Sequence, residues 1–333
     1  MGDQTLKSKT IGSLVWKLLE RGGNSFVQLV VQIVMARLLD PQEFGALAVM
    51  LVFVNIGNVI VQSGLNTSLV QSEKIDEADI STVFWLSFGS SAILFLAVFF
   101  AAPAISEFYA MPHIVWQLRV LGLLLLITAF SSVLVAIVQR DLQLRKVFNA
   151  TVVAVTISGA AGITAALIGA GLWALVLQQL AYQSINCIVL GFQVKWHPKF
   201  LFSRSKARKH FSYGWKLLIS GLLDTGYQSL SDLLIGKQFS SSTLGLVSQG
   251  KKYPQAIGSL LDGAIQPVML SAVSRVQDDL FNVKRFVRRA LKTSTFVIVP
   301  AMTLFAVAAE PIVSIVLGEK WLPCVPFLHI YCF

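Results

Sequence analysis

Charge is what this chain has least of. Only 13% of its 333 residues are Asp, Glu, Lys or Arg, about half the roughly 25% carried by soluble domains. Cysteine is scarce as well. Cys187, Cys324 and Cys332 lie in or beside apolar runs, with no CxxC pair and no histidine at ligand spacing, so neither a disulfide framework nor a metal site is indicated. The four histidines are scattered. There is no GxSxG, no glycine-rich Walker A loop and no HExxH, which removes the usual hydrolase, ATP-driven and zinc-protease readings. The chain is read as a non-enzyme without a cofactor, and any driving force comes from an ion gradient, Na+ or H+, from the membrane potential or from substrate supply.

What is abundant is apolar sequence. The chain is 55% hydrophobic, with a mean hydropathy of +0.70. The apolar residues come in runs of about 20, the length a bilayer requires. Spans are expected at about 14–38, 44–64, 82–102, 115–138, 150–168, 172–193, 213–236, 244–270 and 293–317, with end errors of about two to four residues, and a tenth apolar run opens at Trp321. Pro103 is expected to end the third span. The N-terminal stretch carries Arg21, Asn24, Gln28 and Gln32 with no small-residue cleavage site, so it reads as a retained span rather than a signal peptide.

The net charge of +10 invites a nucleic-acid partner, but its distribution argues otherwise. With the N-terminus inside, eighteen Lys and Arg fall on the inner side and four on the outer, which places the N-terminus in the cytoplasm. The seven tryptophans fall near span ends, where an indole prefers the headgroup region.

Several spans are apolar on one side only. In the first, Lys17, Arg21, Ser25, Gln28 and Gln32 share an arc of about 80° on a helix. The motif Trp16-Lys17-Leu18-Leu19 returns as Trp215-Lys216-Leu217-Leu218, followed by Ser220, Asp224, Tyr227 and Ser231 on the same face. Phe44-Gly45-Ala46-Leu47 likewise pairs with Leu244-Gly245-Leu246-Val247. An offset of about 200 residues spans six helices, an even number, so the copies enter the membrane in the same direction as a parallel repeat. The eighth span carries Ser248, Lys252, Gln255, Ser259, Asp262 and Gln266 on one face, and the second has Asn55, Gln62 and Asn66. Spans 3, 5 and 6 read as having no such stripe. Span 5 is instead rich in small residues at Ser158-Gly159-Ala160-Ala161-Gly162, suited to close helix packing.

The expected architecture is therefore an all-α polytopic membrane protein. Residues 1–194 form an N-terminal six-helix lobe and 195–212 a basic cytoplasmic connector. Residues 213–333 form a C-terminal lobe holding helices 7–9 and the start of 10, incomplete against the first, as in a piece of a longer protein. Four striped helices imply a wet cavity between the lobes. An ion in a bilayer costs at least about 2.5 kcal/mol, so charges on the stripes are site candidates. Arg21, Lys252, Lys17 and Lys216, with Gln28 and Gln255, suit a phosphorylated substrate; Asp224 and Asp262 suit ion coupling. Each has an ordinary alternative: Lys17 and Lys216 lie near a span end and snorkel readily, and the carboxylates could pair with Lys252 or Arg21.

Ala36-Arg37-Leu38-Leu39-Asp40-Pro41-Gln42-Glu43-Phe44-Gly45, then Gln62-Ser63-Gly64-Leu65, Leu244-Gly245 and Gly318-Glu319-Lys320-Trp321-Leu322-Pro323, resemble bacterial polysaccharide exporters. These are lipid-linked oligosaccharide flippases of the O-antigen and colanic-acid type, in the multidrug/oligosaccharidyl-lipid/polysaccharide flippase superfamily. The resemblance implies two six-helix lobes of the multidrug-transporter type and a central cationic cavity. It also implies alternating access to an undecaprenyl-pyrophosphate-linked sugar unit at the bacterial inner membrane, among membrane lipids and beside glycosyltransferases or a polymerase. Two alternatives stay open: a cation-coupled drug or metabolite antiporter of the same superfamily, and a non-transporting membrane subunit of a polysaccharide synthesis complex.

Overall fold

In a computed structural model of the chain, residues 27–62, 64–72, 75–141, 143–274 and 280–333 are described. Among them there are helices and turns and no strand. The helices are α1 (Val27–Leu38), α2 (Pro41–Gln62), α3 (Leu65–Gln71), α4 (Glu77–Phe108), α5 (Val115–Leu121), α6 (Leu123–Arg140), α7 (Leu144–Leu167), α8 (Leu172–Val194), α9 (Arg204–Gln238), α10 (Ser241–Ser274), α11 (Leu280–Val307), α12 (Ala309–Val316) and α13 (Val325–Cys332). Among the described residues six stretches are long and apolar enough to cross a membrane: 41–71, 77–108, 112–140, 145–167, 172–194 and 283–307.

Three boundaries differ from the sequence reading. The basic connector is extended only to Ser203, and its second half is the start of α9. Part of the basic stretch before the ninth span is already helical in α11. The third correction is Pro103, which lies inside α4 rather than ending it. A proline takes away the N–H that would bond the carbonyl four residues back. That carbonyl is Phe99 O, and Arg119 Nε donates to it at 3.2 Å. The guanidinium also lies over the rings of Phe99 and Trp116, at 4.5 and 4.9 Å from their centroids. With the freed acceptor satisfied from a neighbouring helix, α4 runs on for 32 residues.

The chain forms two compact units, residues 1–39 with 46–240, and residues 40–45 with 241–333. In the first, α7 packs along α8 through the small residues of span 5. A Cβ on Gly162 would stand 2.9 Å from Gln178 Cβ, and one on Gly159 would stand 2.4 Å from Val31 of α1. An aromatic group around Phe84 joins α4 to Phe130 of α6 and to Trp196, with ring centroids 5.3 and 5.7 Å away. The start of α4 is fixed by a reciprocal capping box. Asp79 N donates to Asp76 Oδ1 at 2.8 Å, and Asp76 N donates to Asp79 Oδ2 at 3.1 Å.

Residues of that box also hold α9. Lys206 pairs with Asp76 and, at 3.1 Å, with Asp79. The lysine beside Asp76 draws its carboxyl well below the usual range, and the bond to Asp76 in turn raises the Lys206 ammonium. Next to this pair His210, fully buried, sits 2.8 Å from Ser68 Oγ through Nδ1 and 3.2 Å from Asp79 Oδ1 through Nε2.

In the second unit the Arg37–Gly45 element acquires a physical meaning. Pro41 opens α2, where a missing N–H is harmless. Glu43 Oε2 accepts from Asp40 N at 2.7 Å, and Lys320 Nζ reaches Asp40 at 3.3 Å. Phe44 meets the fully buried Trp321 edge-on at 5.3 Å. Gly45 lets the first turn of α2 touch α10 backbone to backbone: a Cβ there would fall 1.7 Å from Ser241 O, while one on Gly245 would fall 1.8 Å from Pro41 O. The glycines that the sequence echo pairs thus face one another in a reciprocal contact.

Candidate functional site

The first unit contains a pocket inside its helix bundle, of about 580 Å3, within the range of roughly 300–1,000 Å3 typical of small-ligand sites. Its walls come from five helices. The α2 and α3 segment supplies Gln62, Asn66, Thr67 and Gln71; α6 supplies Ser131, Ser132 and Gln139; α7 supplies Thr151; α8 supplies Tyr182, Gln183 and Asn186. Val70, Val135, Ala136 and Val147 give apolar patches between them. A smaller hollow of about 130 Å3 is lined by Gln28, Gln32, Ser158, Gln178, Gln179 and Tyr182, among others. Tyr182 belongs to both walls.

Local sequence explains the arrangement. On α8 the polar residues recur at 178, 179, 182, 183 and 186, which is a single helical face. Hydrogen bonds between helices hold that face in place: Gln183 Nε2 donates to Thr128 Oγ1 at 3.2 Å and to Ser131 Oγ at 3.0 Å, and Asn186 Nδ2 donates to Thr151 Oγ1 at 3.4 Å. On the facing wall the side-chain oxygen of Asn66 is buried without a hydrogen-bond partner among the described residues. A buried amide acceptor in that state represents unspent binding capacity, because leaving it unmatched costs about 1–3 kcal/mol.

This pocket corrects the reading that span 6 has no polar stripe. Gln178-Gln179, Tyr182-Gln183 and Asn186 are the stripe, and every member is neutral. Span 5 contributes too, through Thr151 and Ser158.

Of the residues singled out from sequence, Gln28 lines the smaller hollow. Lys216 is exposed on α9, its Nζ 6.0 Å from the centre of the Trp215 ring. Asp224, also exposed on α9, accepts from Gln228 Nε2 at 3.0 Å, one turn along. Lys252 is half-buried and Gln255 exposed, both on α10. Lys17, Arg21 and the side chain of Asp262 lie outside the described residues. Among the described residues no group of His, Cys, Asp and Glu could hold a metal ion.

The chain matches the family model for polysaccharide biosynthesis proteins over residues 34–326. It belongs to that family. It is 23% identical to the lipopolysaccharide biosynthesis protein WzxC of Escherichia coli (strain K12), covering 98% of this chain and 67% of that one. It is also 23% identical to the succinoglycan biosynthesis transport protein ExoT of Rhizobium meliloti (strain 1021), covering 97% and 66%. The teichuronic acid biosynthesis protein TuaB of Bacillus subtilis (strain 168) shares 23% over 82% of this chain and 57% of its own. The chain thus spans about two thirds or less of the length of these relatives. Its fold matches the lipid II flippase MurJ in an inward closed conformation, with a TM-score of 0.73 and 12% identity over 94% of this chain and 71% of that one. It also matches an inward-facing multidrug resistance MATE transporter of the MOP superfamily, with a TM-score of 0.70 and 14% identity over 93% and 76%. The resemblance drawn from the Arg37–Gly45 element holds, and the chain is an all-α, multi-pass membrane protein of this superfamily's fold.

Proposed function

We propose that the protein moves a lipid-linked oligosaccharide from the inner to the outer leaflet of the bacterial inner membrane for surface polysaccharide synthesis. The observation that carries this reading is the neutral, hydrogen-bonding pocket inside an otherwise apolar helix bundle. A polar hollow among apolar helices is costly unless a polar ligand or water uses it, and the relatives' names connect this family to polysaccharide biosynthesis and transport. In this reading the N-terminus is cytoplasmic. Arg21, Lys17, Lys216 and Lys252 attract the pyrophosphate of an undecaprenyl-linked sugar unit. Access alternates between the two sides, with Asp224 and Asp262 as the sites for Na+ or H+ coupling. Glycosyltransferases or a polymerase of the same pathway would supply and consume the substrate.

The test is complementation. The full chain, expressed in a bacterial strain that lacks its surface-polysaccharide flippase, restores the polymer, and the Arg21→Ala/Lys252→Ala double variant, present at equal amount in the membrane, does not. A well-expressed wild-type chain that leaves the strain bare would overturn the flippase reading. Full export by the double variant would remove the cations from it.

A further inference from the structure

We infer that the pocket between α2/α3, α6, α7 and α8 binds the uncharged sugar rings of the substrate and does not accept its pyrophosphate. The inference rests on the flippase reading for the identity of the ligand, and on the pocket's own chemistry for its class.

That chemistry is uniform. Among the described residues none of the lining side chains is ionised at neutral pH: they are amides, hydroxyls, one phenol and small aliphatics. A pyrophosphate in such a place would surrender its hydration without meeting a countercharge, at several kcal/mol per ion. Sugar hydroxyls fit it well, because each donates one hydrogen bond and accepts others. Carboxamides and hydroxyls offer the same two-way capacity, and Gln62, Asn66, Gln71, Gln139, Gln183 and Asn186 place six carboxamides around one hollow. The Asn66 oxygen is buried and has no hydrogen-bond partner among the described residues, so it can accept from a sugar O–H. The aliphatic patches and the Tyr182 ring supply surface for the C–H faces of a pyranose.

The site is also preorganised. Gln183 is tied to Thr128 and Ser131, and Asn186 to Thr151, so two wall amides are oriented before a ligand arrives. Fixing polar groups in advance lowers the ordering cost of binding. The volume of about 580 Å3 accommodates a small glycan and excludes a long polymer. Recognition of the substrate is then divided: charge is handled elsewhere, and this pocket reads sugar.

The test is site-directed protection on the full chain in lipid nanodiscs. A reporter is built as Gln143→Cys, an exposed residue between Gln139 and Val147 of the pocket wall that does not itself line it, in a Cys187→Ser background, and maleimide labelling is timed with maltose, cellobiose or inorganic pyrophosphate. Neutral disaccharides are expected to slow labelling about threefold, the protection a millimolar site gives at twice its Kd, while pyrophosphate leaves the rate unchanged. Asn66→Leu is expected to abolish the protection. If that variant fails to elute as a monodisperse peak, the near-isosteric Thr151→Val is read instead, with protection at least halved. Absence of protection by either sugar, protection by pyrophosphate equal to that by sugars, or full protection in a folded wall variant each overturns the inference. Complementation by the wild-type chain separates the two readings. Restored polymer without sugar protection defeats the pocket assignment alone, and sugar protection without restored polymer leaves the pocket and defeats the flippase.

Discussion

A methyl group placed on Gly45 or Gly245 tests whether the start of α2 is locked to α10. The Cβ would stand 1.7 Å from Ser241 O at Gly45, and 1.8 Å from Pro41 O at Gly245, where real Cβ contacts hardly ever fall below 3.0 Å. The clashing atoms are backbone carbonyls inside helical turns, so no rotamer change relieves them and the helices must separate by at least about 1.3 Å. Overpacking of this kind costs about 1–3 kcal/mol, and the backbone partner puts it at the upper end. The gain in helix propensity on replacing Gly by Ala returns about 1 kcal/mol. The net loss is about 2 kcal/mol, up to roughly thirtyfold in the folded to unfolded ratio. Thermal unfolding of the detergent-solubilised protein, followed by tryptophan fluorescence, should show Gly45→Ala and Gly245→Ala each melting several degrees below wild type. The double variant should lose much less than the sum, because one separation of the helices relieves both clashes. Gly89→Ala and Gly226→Ala, whose Cβ positions meet nothing within 4 Å, should melt at or above wild type. If Gly45→Ala matches these controls, the backbone contact is not holding the two helices and the reasoning fails.

Three further outcomes follow from packing and charge. Arg119→Leu leaves the Phe99 carbonyl without the donor that replaces Pro103, and should lower stability by about 1–3 kcal/mol; adding Pro103→Ala restores the intrahelical N–H and should recover most of the lost melting temperature. His210→Ala strips partners from the buried Ser68 and Asp79 and should cost about 2 kcal/mol in the same melt, with His210→Gln losing less. The Asp76–Lys206 pair sets a pH profile. The lowered Asp76 stabilises the fold fully above the ordinary carboxylate pKa of about 4, and that contribution drains away as pH falls below it. The raised Lys206 contributes fully below about 10.4 and loses its contribution as pH rises further. The melting temperature should therefore hold a plateau between these limits and fall on both sides, and Lys206→Met should flatten both shoulders; shoulders unchanged by that substitution would disconnect the pair from the profile.

How far the sequence reveals this molecule depends on which physical signal each feature leaves. Apolar runs of bilayer length are written at low resolution over twenty residues, so the spans are legible even where Pro103 misleads. The reason it misleads is a single donor, Arg119, that arrives from 20 residues away in sequence, and no local pattern announces such a rescue. The Phe44-Gly45 and Leu244-Gly245 echo is legible as a repeat, but its meaning as a mutual backbone contact emerges only when both copies are placed together. The pocket was hidden for a different reason. Ionised residues stand out in a membrane sequence because their desolvation is expensive, so attention goes to Arg21, Lys252 and Asp224. Gln178, Gln183 and Asn186 cost less, since an amide in a bundle can find an amide or hydroxyl partner on the next helix. Such residues serve equally as packing glue. Their spacing on one face of α8, around a single hollow with Asn66 on the facing wall, is what distinguishes a binding wall from glue. A ligand made of hydroxyl groups calls for just this kind of surface: a neutral stripe, repeated at helical spacing, facing amide and hydroxyl groups of the neighbouring helices across one hollow.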